Sequence, residues 1–222
     1  MENLSEFMRY LASHPQAEDG MPPLSSLRNE LGISVASLRE QLEVARALGL
    51  VDVRPKTGIR RLPFTFLPAV RQSVFYSMAL DINNFQLFAD LRQNIEAAYW
   101  FKAVSKLTPA DHDYLSAIVA KAWQKLDGRP IQIPHDEHKL LHLTIYSRLD
   151  NPFVNGILEA YWESYEAIGL NVFTEYNHLR SVWDYHQKMV DAIRIGDFEI
   201  GYQALVKHTD LLADLLFRQN AE

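Results

Sequence analysis

Apolar side chains recur along most of this chain at intervals of three and four residues, the spacing that lines them up on one face of an α-helix. In "LSEFMRYLASH" they fall at Leu4, Phe7, Met8 and Leu11. A polar stretch, "PQAEDGMPP", ends that helix, and "LSSLRNELGIS" gives a short second helix stopped by Gly32, since glycine enters the left-handed conformation of a helix end without a Cβ penalty. Ser34 is placed to cap a third helix, "VASLREQLEVARALG", with Leu38, Leu42 and Ala45 as its inner stripe and Gly49 as its stop. The period then changes. Two short β-prone runs, 50–54 and 59–62, flank Pro55-Lys56-Thr57-Gly58, which reads as a hairpin turn. Helix, helix, tight turn, helix and hairpin, in that order, spell a winged helix-turn-helix over residues 1–64.

"LPF" at 62–64 reads as a linker, and beyond it the helical period returns without interruption by strands. Residues 66–79, 83–104, 109–126, 135–149, 152–169, 179–195 and 198–219 all carry apolar spacing near 3.6. Their ends are well marked. Thr108-Pro109-Ala110-Asp111 offers an N-cap, a first-turn proline and an acidic third residue. Asn151-Pro152 and Gly196-Asp197 separate the next pairs. The expected fold class is mostly α: a winged helix-turn-helix followed, over 65–222, by an all-α bundle of six or seven helices.

Composition narrows the chemistry. The 222 residues are 48% hydrophobic and 23% charged, with no cysteine, so disulfides, thiolate metal sites and thiol catalysis are excluded. Any transition-metal site must use His, Asp or Glu. No apolar run approaches the roughly 18 residues that span a bilayer, and "MENLSEFMRY" lacks a basic segment followed by an apolar run; a cytoplasmic protein without membrane contact is expected. Residues 1–63 hold eight basic and eight acidic side chains, so the whole net charge of −6 falls beyond them. Four of the eight cations lie within 54–61, a local basic tip able to meet phosphates although long-range steering is weak. A solvated charge run is the alternative for that tip.

"LRNELGISVASLREQLEVARALGLVDVRPKTGIRR" resembles the winged helix of GntR-family transcription regulators, and "LRQNIEAAYW", "HKLLHLTIYSRLDNPFVNGIL" and "YHQKMVDAIRIGDFEIGYQALVKH" resemble the FCD ligand-binding domain of the FadR branch. The resemblance covers nearly the whole chain. It implies a dimeric regulator, in most relatives a repressor, that binds a pseudo-palindromic operator in double-stranded DNA. It also implies a divalent metal held in the bundle by one Asp and three His, with a small carboxylate effector beside it. Aligned on the Asn151-Pro152 break, the first His of that set falls on His142, the others on His186 and His208, and the Asp position on His138. That last match is a departure and implies an all-histidine site. An arginine reaching the effector is implied at Arg92, with Glu96 and Tyr99 on the same side of the helix; an Arg92–Glu96 surface salt bridge is the alternative.

The spacing of the histidines supports this grouping. His138, His142, Ile145 and Leu149 step along one face of 135–149; His186 lies in the stripe Val182, Tyr185, Met189, Val190, Ile193; and Leu205, His208, Leu212 and Leu215 share a face. One inward histidine usually just satisfies a core neighbour. Four from three helices each need partners for two nitrogens, and a shared ion satisfies one nitrogen of each. Zn²⁺ or Ni²⁺ suits imidazole better than Mg²⁺ or Mn²⁺. His135 stays open as a neighbour of the ligands or a helix-start residue. The aromatics Tyr99, Trp100, Tyr146, Tyr161, Trp162 and Tyr165 read mostly as core, with some facing a ligand.

On the DNA side the resemblance makes 34–46 the recognition helix, with Ser34, Ala36 and Ser37 at its groove-facing start and Arg39 set for a guanine or a phosphate. Ser25 and Val35 stand where relatives usually carry arginine, so Lys56, Arg60 and Arg61 on the wing are expected to compensate, with Arg54 a further candidate contact. A metal-dependent enzyme is the rival reading, but no Ser-His-Asp order, phosphate-cradling glycine loop or HExxH motif accompanies the histidines.

Overall fold

The computed structural model describes residues 3–15, 21–54, 58–168 and 176–219, with side chains through 208 in the last segment. The described residues form, in order, α1 (Glu6–Ser13), α2 (Leu24–Leu31), α3 (Val35–Ala47), β1 (Val51–Arg54), β2 (Gly58–Arg61), α4 (Leu67–Leu80), α5 (Asn84–Val104), α6 (Pro109–Leu126), α7 (His135–Tyr146), α8 (Pro152–Ala167), α9 (Tyr176–Ile195) and α10 (Phe198–Gln219). They divide into two compact units, 1–72 and 73–222, with α4 spanning the division.

In the first unit, Phe7, Leu27, Leu38, Leu42, Ala45, Val51 and Ile59 close one apolar core. Gly32 takes φ 67°, which ends α2 sharply enough for α3 to start at Ser34, whose Oγ accepts from the Ser37 amide at 3.1 Å. The antiparallel register pairs Val51 with Arg61, Asp52 with Arg60 and Val53 with Ile59. Since alternate strand residues face opposite sides, Val51 and Ile59 enter the core while Asp52, Arg54 and Arg60 share the far face. Arg61 is on the inner side. Its Nη1 donates to the carbonyls of Leu11 and His14 at 2.7 and 2.8 Å, satisfying the open C-terminal end of α1. Its expected place among the wing cations is therefore corrected: one guanidinium nitrogen of this half-buried residue is committed to the end of α1. The hairpin tip with Lys56 lies outside the described residues.

Among the described residues, seven helices follow the sheet. The main core of the second unit includes Trp100, Leu115, Leu126, Leu141, Ile145, Tyr146, Leu158, Trp183 and Met189, each buried apolar side chain contributing about 1.5–3 kcal/mol of transfer free energy. Thr108 and Asp111 make the expected capping box with Pro109 in the first turn, and Asn151 accepts from the Phe153 and Val154 amides. α7 stops at Tyr146, short of the expected 149, because Ser147 Oγ turns back to the Thr144 carbonyl and the Leu149 amide bonds Tyr146 in a tighter turn. α9 begins at Tyr176, earlier than 179. Gly201 lets α10 press on α5: a Cβ there would sit 2.6 Å from Trp100 Cζ2, and Trp100 Nε1 donates to the Phe198 carbonyl at 2.9 Å. That contact fixes the start of α10, nearly three turns before His208. No described helix is long and apolar enough to cross a membrane.

Candidate metal centre

Four buried imidazoles meet at the centre of the second unit. α7 contributes His138 and His142 one turn apart, α9 contributes His186, and α10 contributes His208; the last three are fully buried and His138 is 8% exposed. All six ring-to-ring distances fall between 4.4 and 5.6 Å. One ring nitrogen from each lies within 4.8 Å of the other three. The shortest approach is His142 Nε2 to His186 Nε2 at 3.2 Å, close to the edge of roughly 3.3 Å that a tetrahedral ion with Zn–N bonds of about 2.0–2.1 Å requires.

Burial, and then the charges of neighbouring imidazoles and Arg92, holds all four histidines well below the usual range, so they are neutral. A neutral imidazole buried without partners is costly. Here His138 Nε2, His186 Nδ1 and both nitrogens of His208 have no hydrogen-bond partner in the protein. With one nitrogen of each ring within 4.8 Å of the others, the set fits a divalent ion that takes one lone pair from each.

α5 brings an arginine and a glutamate to the cluster. Arg92 Nη2 lies 3.0 Å from Glu96 Oε2, and Glu96 Oε1 lies 3.2 Å from His142 Nδ1, all inside the protein. The alternative of a surface salt bridge is thereby corrected: this pair is in the core. The Arg92 guanidinium sits 4.7 Å from the Tyr161 ring and 5.3 Å from Trp162, within cation–π range. Burial pushes the Glu96 carboxyl up, while Arg92 and His208 pull it back. Tyr99 goes elsewhere: its hydroxyl accepts from Asn151 Nδ2 at 3.3 Å, and Lys102 lies over its ring.

Aromatic rings wall the site. Trp162 is 4.7 Å from the His138 ring and Trp183 is 4.6 Å from His186. Of the aromatics singled out by sequence, Tyr161, Trp162 and Tyr165 face this region, whereas Trp100 and Tyr146 build the core. Trp183, three residues before His186, was detectable only as a stripe residue of α9. Glu137 had no local signal at all. Its carboxylate takes Lys121 at 2.9 Å and Lys125 at 2.7 Å, bolting α7 to α6 beside His138. His135 is half-buried in the first turn of α7. Leu212 and Leu215, expected on the His208 face, have side chains outside the described residues.

In the first unit Ala36 and Arg39 are exposed at the start of α3. Ser34 and Ser37 are engaged locally, Ser37 Oγ accepting from Gln41 Nε2 at 3.3 Å. Gln41 in turn accepts from the Phe7 amide and donates to Glu6, tying α1 to α3. Arg54 pairs with Asp52 at 2.6 Å, and Arg60 is exposed across the register from Asp52.

Residues 88–211 match the FCD domain family. The fold is similar to that of Streptococcus agalactiae GntR, with a TM-score of 0.69 and 15% identity over 93% of this chain and 96% of that one. E. coli McbR/YncC aligns over 97% of this chain and 99% of its own at 20% identity and a TM-score of 0.49. No curated protein sequence matches the chain significantly.

Proposed function

This chain belongs to the FCD-domain family, and from that premise we propose that it is a ligand-responsive, DNA-binding transcription regulator, most simply a repressor, and not an enzyme. It acts as a homodimer in the cytoplasm on a pseudo-palindromic operator, with Ala36 and Arg39 entering the major groove, Ser34 and Ser37 shaping the helix start, and Arg54, Lys56 and Arg60 on the backbone. The observation that carries the reading is the pairing, in one chain, of an exposed helix start bearing Arg39 with a second unit whose core brings four buried imidazoles together, one nitrogen of each within 4.8 Å of the others.

In this reading His138, His142, His186 and His208 hold one divalent ion, Zn²⁺ or Ni²⁺. Bound there, it supplies a positive charge that fixes an anion. Four neutral ligands leave the full +2 on the ion, so the site favours a small carboxylate, with Arg92 reaching it; Tyr99, turned to Asn151, is left out of this contact. Differential binding of that effector to two dimer arrangements shifts the spacing of the recognition helices. A hydrolytic site needs a free general base near the ion; Glu96, the carboxylate that touches the cluster, is engaged by Arg92 and His142.

A mobility-shift scan of the chain's own promoter region tests this, at near-physiological salt with competitor DNA, using metal-loaded protein with and without small carboxylates. A sequence-selective shift that a carboxylate strengthens or releases is expected. No selective shift under any of these conditions would sink the regulatory reading.

A further inference from the structure

Two carboxylates are buried among the described residues, and they serve different helices. Glu137 is spent on Lys121 and Lys125. Glu96 instead divides its oxygens between Arg92, at 3.0 Å, and His142 Nδ1, at 3.2 Å. A carboxylate oxygen and a bare imidazole lone pair repel at this separation, so the contact favours the His142 proton on Nδ1. The other nitrogen of that ring, Nε2, is the one lying 3.2 Å from His186 Nε2. His142 Nδ1 and Glu96 Oε1 do not reach hydrogen-bond geometry, and neither do His186 Nδ1 or the two nitrogens of His208; what sets His142 apart is the carboxylate 3.2 Å from its Nδ1. With that proton on Nδ1, His142 Nε2 accepts from His186 Nε2, and Glu96 is the carboxylate that biases this tautomer.

We propose that Glu96 is a positioning residue of the metal site: braced by Arg92, it holds His142 with its proton on Nδ1 and Nε2 free for the ion, and it supplies the fixed negative charge that an all-imidazole donor set lacks. This rests on the metal reading above. The i, i+4 spacing of Arg92 and Glu96 on α5 puts brace and carboxylate on one helical face, and the rings of Tyr161 and Trp162 beside the guanidinium hold the brace in place. A carboxylate behind a metal-bound imidazole orients the ring and raises its basicity. Glu96 thus contributes to metal affinity through His142, without being a ligand itself.

The test has two arms. Long-range ¹⁵N–¹H NMR of the metal-free wild type reads the tautomer directly, and the proton is expected on His142 Nδ1. Chelator-competition titration with Zn²⁺ then compares wild type with Glu96→Gln, which keeps shape and an acceptor oxygen but loses the charge, and with Glu96→Ala, which loses both. Affinity is expected to fall about 10-fold in the first and up to about 100-fold in the second, with the Nδ1–H tautomer retained only in Glu96→Gln. A proton on His142 Nε2 in the wild type would overturn the proposal whatever the metal result. So would Zn²⁺ affinities of both variants within twofold of wild type. A wild type that binds no Zn²⁺ at all overturns the metal reading, and with it the affinity role of Glu96, while the tautomer arm still decides whether Glu96 holds His142.

Discussion

The two units handle charge in opposite ways. In the first, the core is apolar throughout and the cations Arg39, Arg54 and Arg60 stay outside. In the second, an arginine, two glutamates and four histidines are buried among the helices. A core of the first kind is stable by itself, because apolar burial is its main favourable contribution. A core of the second kind carries desolvation costs that only partners offset, and the partnerless nitrogens of His138, His186 and His208 mark where a partner is missing from the protein's own groups. The first unit is a platform for surface contacts; the second is built to respond to what it binds.

The largest expected separation is thermal. Saturating Zn²⁺ at about a thousand times its dissociation constant should stabilise the second unit by about 4 kcal/mol. At about 2–4 °C per kcal/mol for a unit of this size, calorimetry should show its transition moving up by roughly 8–16 °C while the first unit's stays put. Equal shifts in both units would break the comparison. In the reverse direction, Leu27→Ala opens a cavity in the first core and should cost about 3 kcal/mol. It should lower that unit's transition without changing metal content; a loss of metal in this variant would mean that the units are not independent.

How far these contrasts were legible in the sequence depends on the element. The stops and caps could be read residue by residue, because Gly32, Thr108–Asp111 and Asn151-Pro152 act on their own neighbours. The four histidines were legible because the sequences of α7, α9 and α10 show one apolar stripe each and the imidazoles lie in it. α5 has no such stripe. Its exposed Leu87 and Leu91 and its buried Phe85 and Ala89 leave apolar residues on several sides, so nothing local told whether Arg92 and Glu96 faced in or out. Arg61 shows the other limit: its partners, Leu11 and His14, are 50 and 47 residues away, and local spacing reports nothing at that range.

Two smaller predictions sharpen the contrast within the first unit. Arg39→Ala should weaken operator binding by about 1–3 kcal/mol if it reads a guanine, with neither melting transition moved. Arg61→Ala should do the opposite, costing about 1–2 kcal/mol of stability through the two lost carbonyl contacts while leaving base discrimination intact. Fluorescence anisotropy on operator DNA and thermal melts together separate the two arginines; matching phenotypes would contradict their assigned places.

The smallest effect tests a charge at the rim of the second unit. Hydrogen bonds from Arg148 and Thr108 hold the Asp111 carboxyl below its ordinary 3.8. A carboxylate depressed in the folded state stabilises above its unfolded value and loses that contribution as the pH falls below it. Asp111→Asn should therefore cost roughly 1 kcal/mol at neutral pH, the scale of one capping contact, and the gap to wild type should close as the pH drops through and below about 4. A gap that persists in acid would assign the effect to packing.

The central claim, that the four histidines are one metal site, is tested most directly by metal analysis. Protein purified without nickel resin is measured by elemental mass spectrometry, as isolated and after Zn²⁺ or Ni²⁺ addition and desalting. One ion per chain is expected in the wild type, lost in His186→Ala and in His208→Ala. A site that stays empty after metal addition, or variants that keep the wild-type metal content, would contradict the account.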